Sequence, residues 1–232
     1  MRKPSKKHTI ETLLSIGVPI NSVIDVGMLS DTFELRTLLS DKNQLLVEPI
    51  EEWNETLIQK YNNSGVNFKI ANVAACDFDG KMNMRTVSVR EGKDITHARL
   101  TDEEEGAGLR EVTVKKLDTL VASYSSFLPS PHLLKIDVDG VEASIIKGAT
   151  DVLSNTTVVI IEAQVANFVE RSQLLIDRGF TLFDISDICY YDKWLKQFDI
   201  TFIRNDVIQK LDPYKNFKRG GFDINKWHQF VC

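Results

Sequence analysis

The segment 133–149, with the sequence LLKIDVDGVEASIIKGA, is the feature that most constrains what this chain can fold into. Apolar residues run almost without interruption up to Asp137, and beyond Gly140 they return at helical spacing. This change predicts a buried strand that leads directly into an amphipathic helix. Asp137 and Asp139 would then lie at the carboxyl end of a strand, where open α/β sheets bind ligands, although such acids can also simply cap the helix.

The same order of strand, turn and helix recurs along the chain. Apolar runs that end near Asp25, Glu48 and Glu162 alternate with helical patterns, and further apolar or alternating runs predict the remaining strands. These further runs lie at 66–75, 82–89, 110–117, 179–185 and 198–203. The alternation predicts an α/β fold with a mostly parallel sheet and helices on both faces.

Length and charge limit the classes of function. A chain of 232 residues with 43% hydrophobic content is long enough for one well-buried domain. The net charge of −5 offers no long-range attraction for nucleic acid or for an anionic membrane, so we expect a small-molecule or neutral substrate. Cys76, Cys189 and Cys232 form neither a disulfide framework nor a zinc motif, and no signal peptide or membrane span is visible, which together favour a cytoplasmic protein.

The ends of the chain and one internal segment differ in composition from the rest. Residues 1–19 are predicted to form a basic tail (1–8) and a short helix capped by Thr9, residues 20–205 the main domain, and residues 206–232 an aromatic-rich extension. That extension either packs back on the domain or binds a partner. Residues 90–108 are polar and acidic and predict a solvated loop, which is either a lid or a disordered insertion.

The turn after the first strand restricts the cofactor. Gly27 is its only glycine, so the G-x-G-x-x-G pattern that brings a pyrophosphate to a helix N-terminus is missing, and Asp31 would repel a phosphate. Nicotinamide and flavin dinucleotides are therefore disfavoured. S-adenosylmethionine, which carries a ribose, a purine and a cationic centre but no phosphate, fits this turn better.

Two further strand ends offer groups for such a cofactor. Glu48 lies about 20 residues after the first turn, where an acid can accept hydrogen bonds from both ribose hydroxyls, although an exposed glutamate without a task is the alternative. Asn72 and Val73 follow the third strand and could contact the edge and face of an adenine. They could equally belong to a simple turn.

Several strings, in their order and spacing, resemble the FkbM-type methyltransferases. They are VIDVG at 23–27, LLVEP at 45–49, NVAACDFDG at 72–80, VTVKKLDTL at 112–120, LLKIDVDGVEASIIKGA at 133–149 and VVIIEAQ at 158–164. The resemblance implies a Rossmann-like class I methyltransferase fold, with a seven-stranded sheet in which one strand is antiparallel. It also implies an S-adenosylmethionine-dependent enzyme, and many members of this family methylate hydroxyl groups of sugars or polyketides.

The resemblance also implies roles for individual residues. Asp25 and Gly27 would line the methionine end of the cofactor, Glu48 would hold the ribose, and Asp137 would face the methionine amine or the substrate. Asn72 and Val73 would flank the adenine. Family members usually have a second glycine four residues after the first, where this chain has Asp31. A non-catalytic binding or scaffolding domain, in which Asp31 closes the cofactor pocket, is therefore the alternative.

The expected reaction is O-methylation of a hydroxyl on a sugar, a glycoconjugate or another small molecule. The candidates for a general base are Asp137, Asp139, Glu162 and His97, of which His97 lies in the polar loop and is alternatively just solvated. Asp137 and Glu162 could hold a divalent cation, but their spacing does not require one and we predict no metal. Methylation of nucleic acid is disfavoured by the charge and by the absence of an NPPY-type motif.

Overall fold

The computed structural model describes residues 2–88, residue 95 and residues 97–211. Its helices are α1 Lys6–Ser15, α2 Phe33–Leu38, α3 Asn54–Asn63, α4 Leu117–Ala122, α5 Glu142–Lys147, α6 Thr150–Ser154, α7 Phe168–Ile176 and α8 Asn205–Ile208, with a 3-10 turn at Glu51–Trp53 before α3. Its strands are β1 Ser22–Val26, β2 Asn43–Val47, β3 Phe68–Ala71, β4 Ala74–Cys76, β5 Gly80–Val87, β6 His97–Thr101, β7 Leu109–Lys116, β8 His132–Ile136, β9 Thr156–Gln164, β10 Phe180–Tyr191 and β11 Trp194–Arg204. None of the helices in these ranges is long and apolar enough to cross a membrane.

Seven of the strands belong to one mixed, mostly parallel sheet, which confirms the predicted α/β fold. The chain divides into two compact units, one of residues 20–156 and the other of residues 1–19 together with residues 157–232. Within the first unit the strand order is β8-β1-β2-β3, and every pair is parallel. Within the second unit the order is β10-β11-β9, and β11 is antiparallel to both of its neighbours.

The central strands of the first unit are buried along their whole length. All five residues of β1 and all five of β8 are buried, as expected for strands covered on both faces. Their register pairs Asp25 with Lys135, so these two side chains lie on the same face of the sheet. The apolar runs therefore predicted the strands correctly, and they carry two charged residues into the interior.

The first unit also contains a second, four-stranded sheet in the order β4-β7-β5-β6. The prediction of a solvated loop over 90–108 is wrong for residues 97–101, because they form β6 and pair antiparallel with β5. Leu100 is buried there, in an apolar cluster that stabilises a strand of otherwise polar composition. Residues 90–94 and 96 of the same predicted loop lie outside the described residues.

The amino-terminal helix begins earlier than predicted. Ser5, not Thr9, is its N-cap, since the Ser5 side chain accepts a hydrogen bond from the His8 N–H. Thr9 is fully buried and its hydroxyl contacts the Asp184 carboxylate on β10. The predicted tail over residues 1–8 is therefore wrong from Lys6 onward.

Strands β10 and β11 form a hairpin that is longer than the predicted segments 179–185 and 198–203. β10 has 12 residues and β11 has 11. The end of the hairpin exposes large side chains, among them Tyr190, Tyr191 and Trp194. Of the predicted aromatic extension 206–232, residues 212–232 lie outside the described part of the chain.

Buried His132 at the start of β8 predicts a pH dependence of stability. His132 is 4% exposed, its Nδ1 lies 2.7 Å from Ser22 Oγ, and burial lowers its pKa below the ordinary value of 6.5. The unfolded chain therefore binds a proton at His132 more readily than the folded chain does. The contribution of His132 to stability is complete above its unfolded pKa of about 6.5 and is lost as the pH falls toward its lower pKa in the folded protein. The loss is no more than about 1.4 kcal/mol per pH unit. Urea denaturation between pH 7 and 5 should show this loss of stability, and His132→Gln should reduce the loss.

The exposed His97 provides the matched control for this prediction. An equal effect of His97→Gln on the pH dependence would contradict the assignment to His132.

Candidate functional site

Backbone hydrogen bonds join the exits of neighbouring parallel strands. The Gly27 N–H donates to the Val47 carbonyl at 3.0 Å, and the Asp137 N–H donates to the Val26 carbonyl at 2.9 Å. The Glu48 N–H likewise donates to the last carbonyl of β3 at 3.1 Å. The parallel ladder thus continues past the strand ends, and it places Asp137, Gly27 and Glu48 next to one another along one edge of the sheet.

Gly27 is required by a close approach of two strand exits. Its φ is +76°, a left-handed conformation that side chains rarely adopt. A Cβ at this position would lie 2.1 Å from the Asp137 carbonyl oxygen and 2.6 Å from Val138 Cγ1. Only glycine lets the β1 exit pack on the backbone after β8.

Asp25, Lys135 and Asp137 form a charged cluster, named here the strand-exit triad. Lys135 Nζ lies 3.3 Å from Asp25 Oδ1 and 3.1 Å from Asp137 Oδ2. The side chains of Asp25 and Lys135 are 0% and 3% exposed, whereas that of Asp137 is 34% exposed. No described group donates a hydrogen bond of normal geometry to either Asp25 oxygen, so the contact with Lys135 is an ion pair. The triad leads from the interior to the surface.

Glu48 holds two turns in place. Its Oε2 accepts a hydrogen bond from the Leu29 N–H at 2.8 Å, and its Oε1 accepts one from the Ile50 N–H at 3.0 Å. The side chain is 2% exposed, which rules out an exposed glutamate without a task. Burial raises the pKa of Glu48, the two N–H donors act against this, and the Asp25 charge adds to the rise. A carboxylate oxygen has two lone pairs, so each Glu48 oxygen keeps one beyond these bonds.

The Asp31 carboxylate is paired with two cations. Its carboxylate accepts hydrogen bonds from Arg36 Nε and Nη2 at 2.8 and 2.9 Å, and Lys60 Nζ lies 3.7 Å away. The side chain of Asp31 is 14% exposed. Its negative charge is thus balanced locally, and its carboxylate is held against α2 and α3.

The amide of Asn72 is engaged within the protein. Asn72 Nδ2 donates to the Glu48 carbonyl oxygen and to Asn54 Oδ1, both at 3.0 Å, and Asn72 Oδ1 accepts from Asn54 Nδ2. Val73 is half-buried, and its N–H donates to the Ala71 carbonyl at 2.9 Å. These contacts fix the backbone after Glu48 and form a tight turn after β3.

The other candidate bases lie in three different places. Asp139 is exposed in the loop after β8, two residues beyond Asp137. His97 is exposed at the start of β6 in the small sheet, and its neighbour Ala98 packs against an apolar cluster that also contains Ile50, after β2, and Leu29, after β1. Glu162 belongs to β9 in the other unit, where its Oε2 accepts a hydrogen bond from Gln197 Nε2 at 3.0 Å.

Sequence reasoning missed two residues near the strand exits. Lys135 lies within the apolar run before Asp137, and a lysine in a continuous apolar strand signals a buried charge that needs a partner. Tyr61 on α3 is fully buried, and its hydroxyl has no hydrogen-bond partner in the described ranges. Burial raises the pKa of Tyr61, and the charges of Asp25 and Asp31 add to the rise.

A polar cavity lies beside the exits of β2 and β3. Its volume is about 280 Å³, and its lining residues are Pro49, Glu51, Glu52, Asn72, Arg110, Glu111, Val112 and Thr113. Arg110 Nη1 donates to both Glu52 oxygens, at 2.7 and 2.9 Å. Carboxylates, an amide, a hydroxyl and a guanidinium therefore surround this space.

Solved structures identify the class of fold. The METTL16 MTase domain is similar with a TM-score of 0.50 and 11% identity, over 86% of this chain and 66% of that one. An rRNA methylase from Streptococcus thermophilus has a TM-score of 0.48 and 10% identity, over 84% and 93% of the two chains. Magnesium protoporphyrin IX methyltransferase from Synechocystis PCC 6803 with bound SAM has a TM-score of 0.45 and 10% identity, over 85% and 79%. The fold is that of the Rossmann-like class I methyltransferases.

Sequence comparison identifies the family. Residues 18–188 match the methyltransferase FkbM domain, and the chain belongs to this family of methyltransferases. No curated protein matches the sequence. The resemblance of the strings between Val23 and Gln164 is thereby confirmed.

Proposed function

We propose that this protein is an S-adenosylmethionine-dependent methyltransferase that methylates a hydroxyl on a sugar, a glycoconjugate or another small molecule. The observation that carries the proposal is the set of carboxylates at three adjacent strand exits, Asp25, Glu48 and Asp137, around the close approach at Gly27. Family membership supports the transfer of a methyl group.

The donor set at these exits fits the proposed cofactor. S-adenosylmethionine carries an ammonium group and two ribose hydroxyls, which can donate hydrogen bonds to carboxylates, and a sulfonium, whose positive charge carboxylates attract. It has no phosphate. Asp137 is a third exposed and would receive the amine, while Gly27 and the buried Asp25 would lie beneath the methionine end. Glu48 would hold the ribose through its remaining lone pairs.

We place the adenine against Val73 and the turn that Asn72 fixes. The amide of Asn72 already bonds to Asn54 and to the Glu48 carbonyl, so its proposed contribution is to position that turn. When bound, the cofactor supplies an electrophilic methyl group on its sulfonium. The residues of the chain align the acceptor and exclude water, which provides most of the acceleration in such displacements.

The proton of the acceptor hydroxyl must pass to a base, which typically contributes about 10²–10⁴-fold to the rate. We propose that the base is one of Asp137, Asp139, Glu162 and His97. The pH profiles of kcat for Asp137→Asn, Asp139→Asn, Glu162→Gln and His97→Asn should identify it, because only loss of the base removes the acidic limb, the fall in kcat at low pH where the base is protonated.

The alternative function is a non-catalytic scaffold in which the side chain of Asp31 closes the cofactor pocket. The ion pairs of Asp31 with Arg36 and Lys60 direct its carboxylate to those cations, which supports the enzyme over the scaffold. The polar cavity of about 280 Å³ beside Asn72 supports a hydroxyl-rich acceptor, because its lining offers donors and acceptors for several hydroxyls. A screen of glycosides and hydroxylated metabolites for methyl transfer tests the acceptor class.

Calorimetric titration with S-adenosylmethionine tests the function. The wild-type protein should bind with micromolar affinity, and Glu48→Ala should weaken binding about 10-fold or more, since it removes the ribose acceptor and leaves the Leu29 and Ile50 N–H groups unpaired. Circular dichroism should confirm that the variant is folded. Glu55→Ala, at an exposed position of α3, is the matched control and should bind like the wild type. Silence of the wild-type protein at millimolar cofactor would support the scaffold instead.

A further inference from the structure

The strand-exit triad contains one more carboxylate than ammonium. Asp25 and Asp137 carry two negative charges and Lys135 carries one positive charge, so the triad has a net charge of −1. Asp25 and Lys135 are buried, and charges in the interior are screened much less by salt than surface charges are. The remaining negative charge therefore acts on whatever lies at the exposed end of the triad, at Asp137.

The two adenosyl ligands of a methyltransferase differ by one charge at nearly the same shape. The methyl donor carries a sulfonium, and the demethylated product carries a neutral thioether in its place. Their amine, carboxylate, ribose and adenine are identical. A contact with any of these shared groups affects both ligands alike, whereas a net charge in the site affects the two differently.

We propose that Lys135 is a positioning residue that sets the discrimination between the sulfonium donor and the neutral thioether product, by fixing the net charge of the triad at −1. This inference rests on the proposed function. Lys135 contacts Asp137 through its Nζ and neutralises one of the two carboxylates. The one negative charge that remains favours binding of the sulfonium donor over binding of the neutral thioether product. With less negative charge on the triad, the product would bind as well as the donor does. With more negative charge, a buried carboxylate would have no cation beside it.

A series of charge variants tests the proposal. The quantity measured by calorimetry is the Kd of S-adenosylhomocysteine divided by the Kd of S-adenosylmethionine. Asp25→Asn changes the triad to 0 and should lower the ratio about 5-fold. Lys135→Met removes the ammonium group beside the fully buried Asp25 and should raise the ratio, by about 5-fold where both carboxylates stay ionised. The double variant Asp25→Asn/Lys135→Met returns the triad to −1, and its ratio should stay within about 2-fold of wild type.

The design separates a charge effect from a structural one. Distortion of the site would weaken both ligands and leave the ratio unchanged, and it would not be reversed in the double variant. Lys81→Met, which removes an exposed lysine paired with Glu111 on the small sheet, is the control for net charge and should not change the ratio. If Lys135→Met does not fold, Asp25→Asn and the double variant still decide the question.

Two results would overturn the inference, and they differ in meaning. If both ligands bind but the ratio is the same in all variants, Lys135 does not set the discrimination and the proposed function stands. If neither ligand binds to the wild-type protein, the proposed function fails and the inference fails with it.

Discussion

Replacing Lys135 by methionine is expected to lower the free energy of unfolding by about 3–5 kcal/mol, the range found when one partner of a buried ion pair is removed. The Lys135 side chain is 3% exposed and neutralises the fully buried Asp25, whose oxygens accept no hydrogen bond from the described residues. Without the ammonium group, the Asp25 charge would stay in the interior uncompensated. Urea denaturation, followed by circular dichroism, measures the change.

The controls for this prediction use a matched lysine and a matched pair. Lys81 forms an exposed ion pair with Glu111, and Lys81→Met should change stability by no more than about 1 kcal/mol. The double variant Asp25→Asn/Lys135→Met should recover part of the loss, because it removes both buried charges. Equal effects of Lys135→Met and Lys81→Met would show that the buried pair is not what stabilises this edge.

Replacing Gly27 by alanine is expected to cost about 2–5 kcal/mol and to abolish binding of the methyl donor. The left-handed backbone accounts for about 1–2 kcal/mol of this and the steric overlap for about 1–3 kcal/mol more. The overlap is with the Asp137 carbonyl, 2.1 Å from the new Cβ, so relief would separate the exits of β1 and β8. Thermal denaturation and titration with S-adenosylmethionine measure the two effects.

Gly65 provides the matched control for Gly27. Its φ is +67°, close to the +76° of Gly27, but a Cβ there meets no atom within 4 Å. Gly65→Ala should therefore show the backbone cost alone, about 1–2 kcal/mol, with donor binding unchanged. If the two alanine variants lose the same stability and both still bind, the close approach at Gly27 has no functional consequence.

The main sheet could be predicted from the sequence because its strands are buried on both faces. Short continuous apolar runs, such as those ending near Asp25 and Asp137, are typical of strands buried in a parallel sheet. The acids at their ends mark the carboxyl ends of these strands. β6 was missed because its polar residues carry no such signal, and its pairing with β5 is a tertiary contact. A single sequence shows which strands exist more readily than which strands pair.

The adjacency of the strand-end residues could be predicted from the sequence, but their contacts could not. The carboxyl ends of parallel strands lie at one edge of a sheet, and four predicted residues lie together there: Asp25, Gly27, Glu48 and Asp137. The partners of Glu48 are backbone N–H groups, which no side-chain pattern reveals. Asp31 pairs with Arg36, five residues later, because the turn after β1 leads into α2. This contact depends on the conformation of the turn, which the sequence pattern does not show.

The amino-terminal segment contacts β10, the edge strand of the main sheet. The Asp187 N–H donates to the Pro4 carbonyl at 3.0 Å, and Arg2 pairs with Asp184. An uncovered edge strand is a template for intermolecular pairing. During synthesis the amino-terminal residues leave the ribosome long before β10 does, so they are available to contact this strand as soon as it emerges.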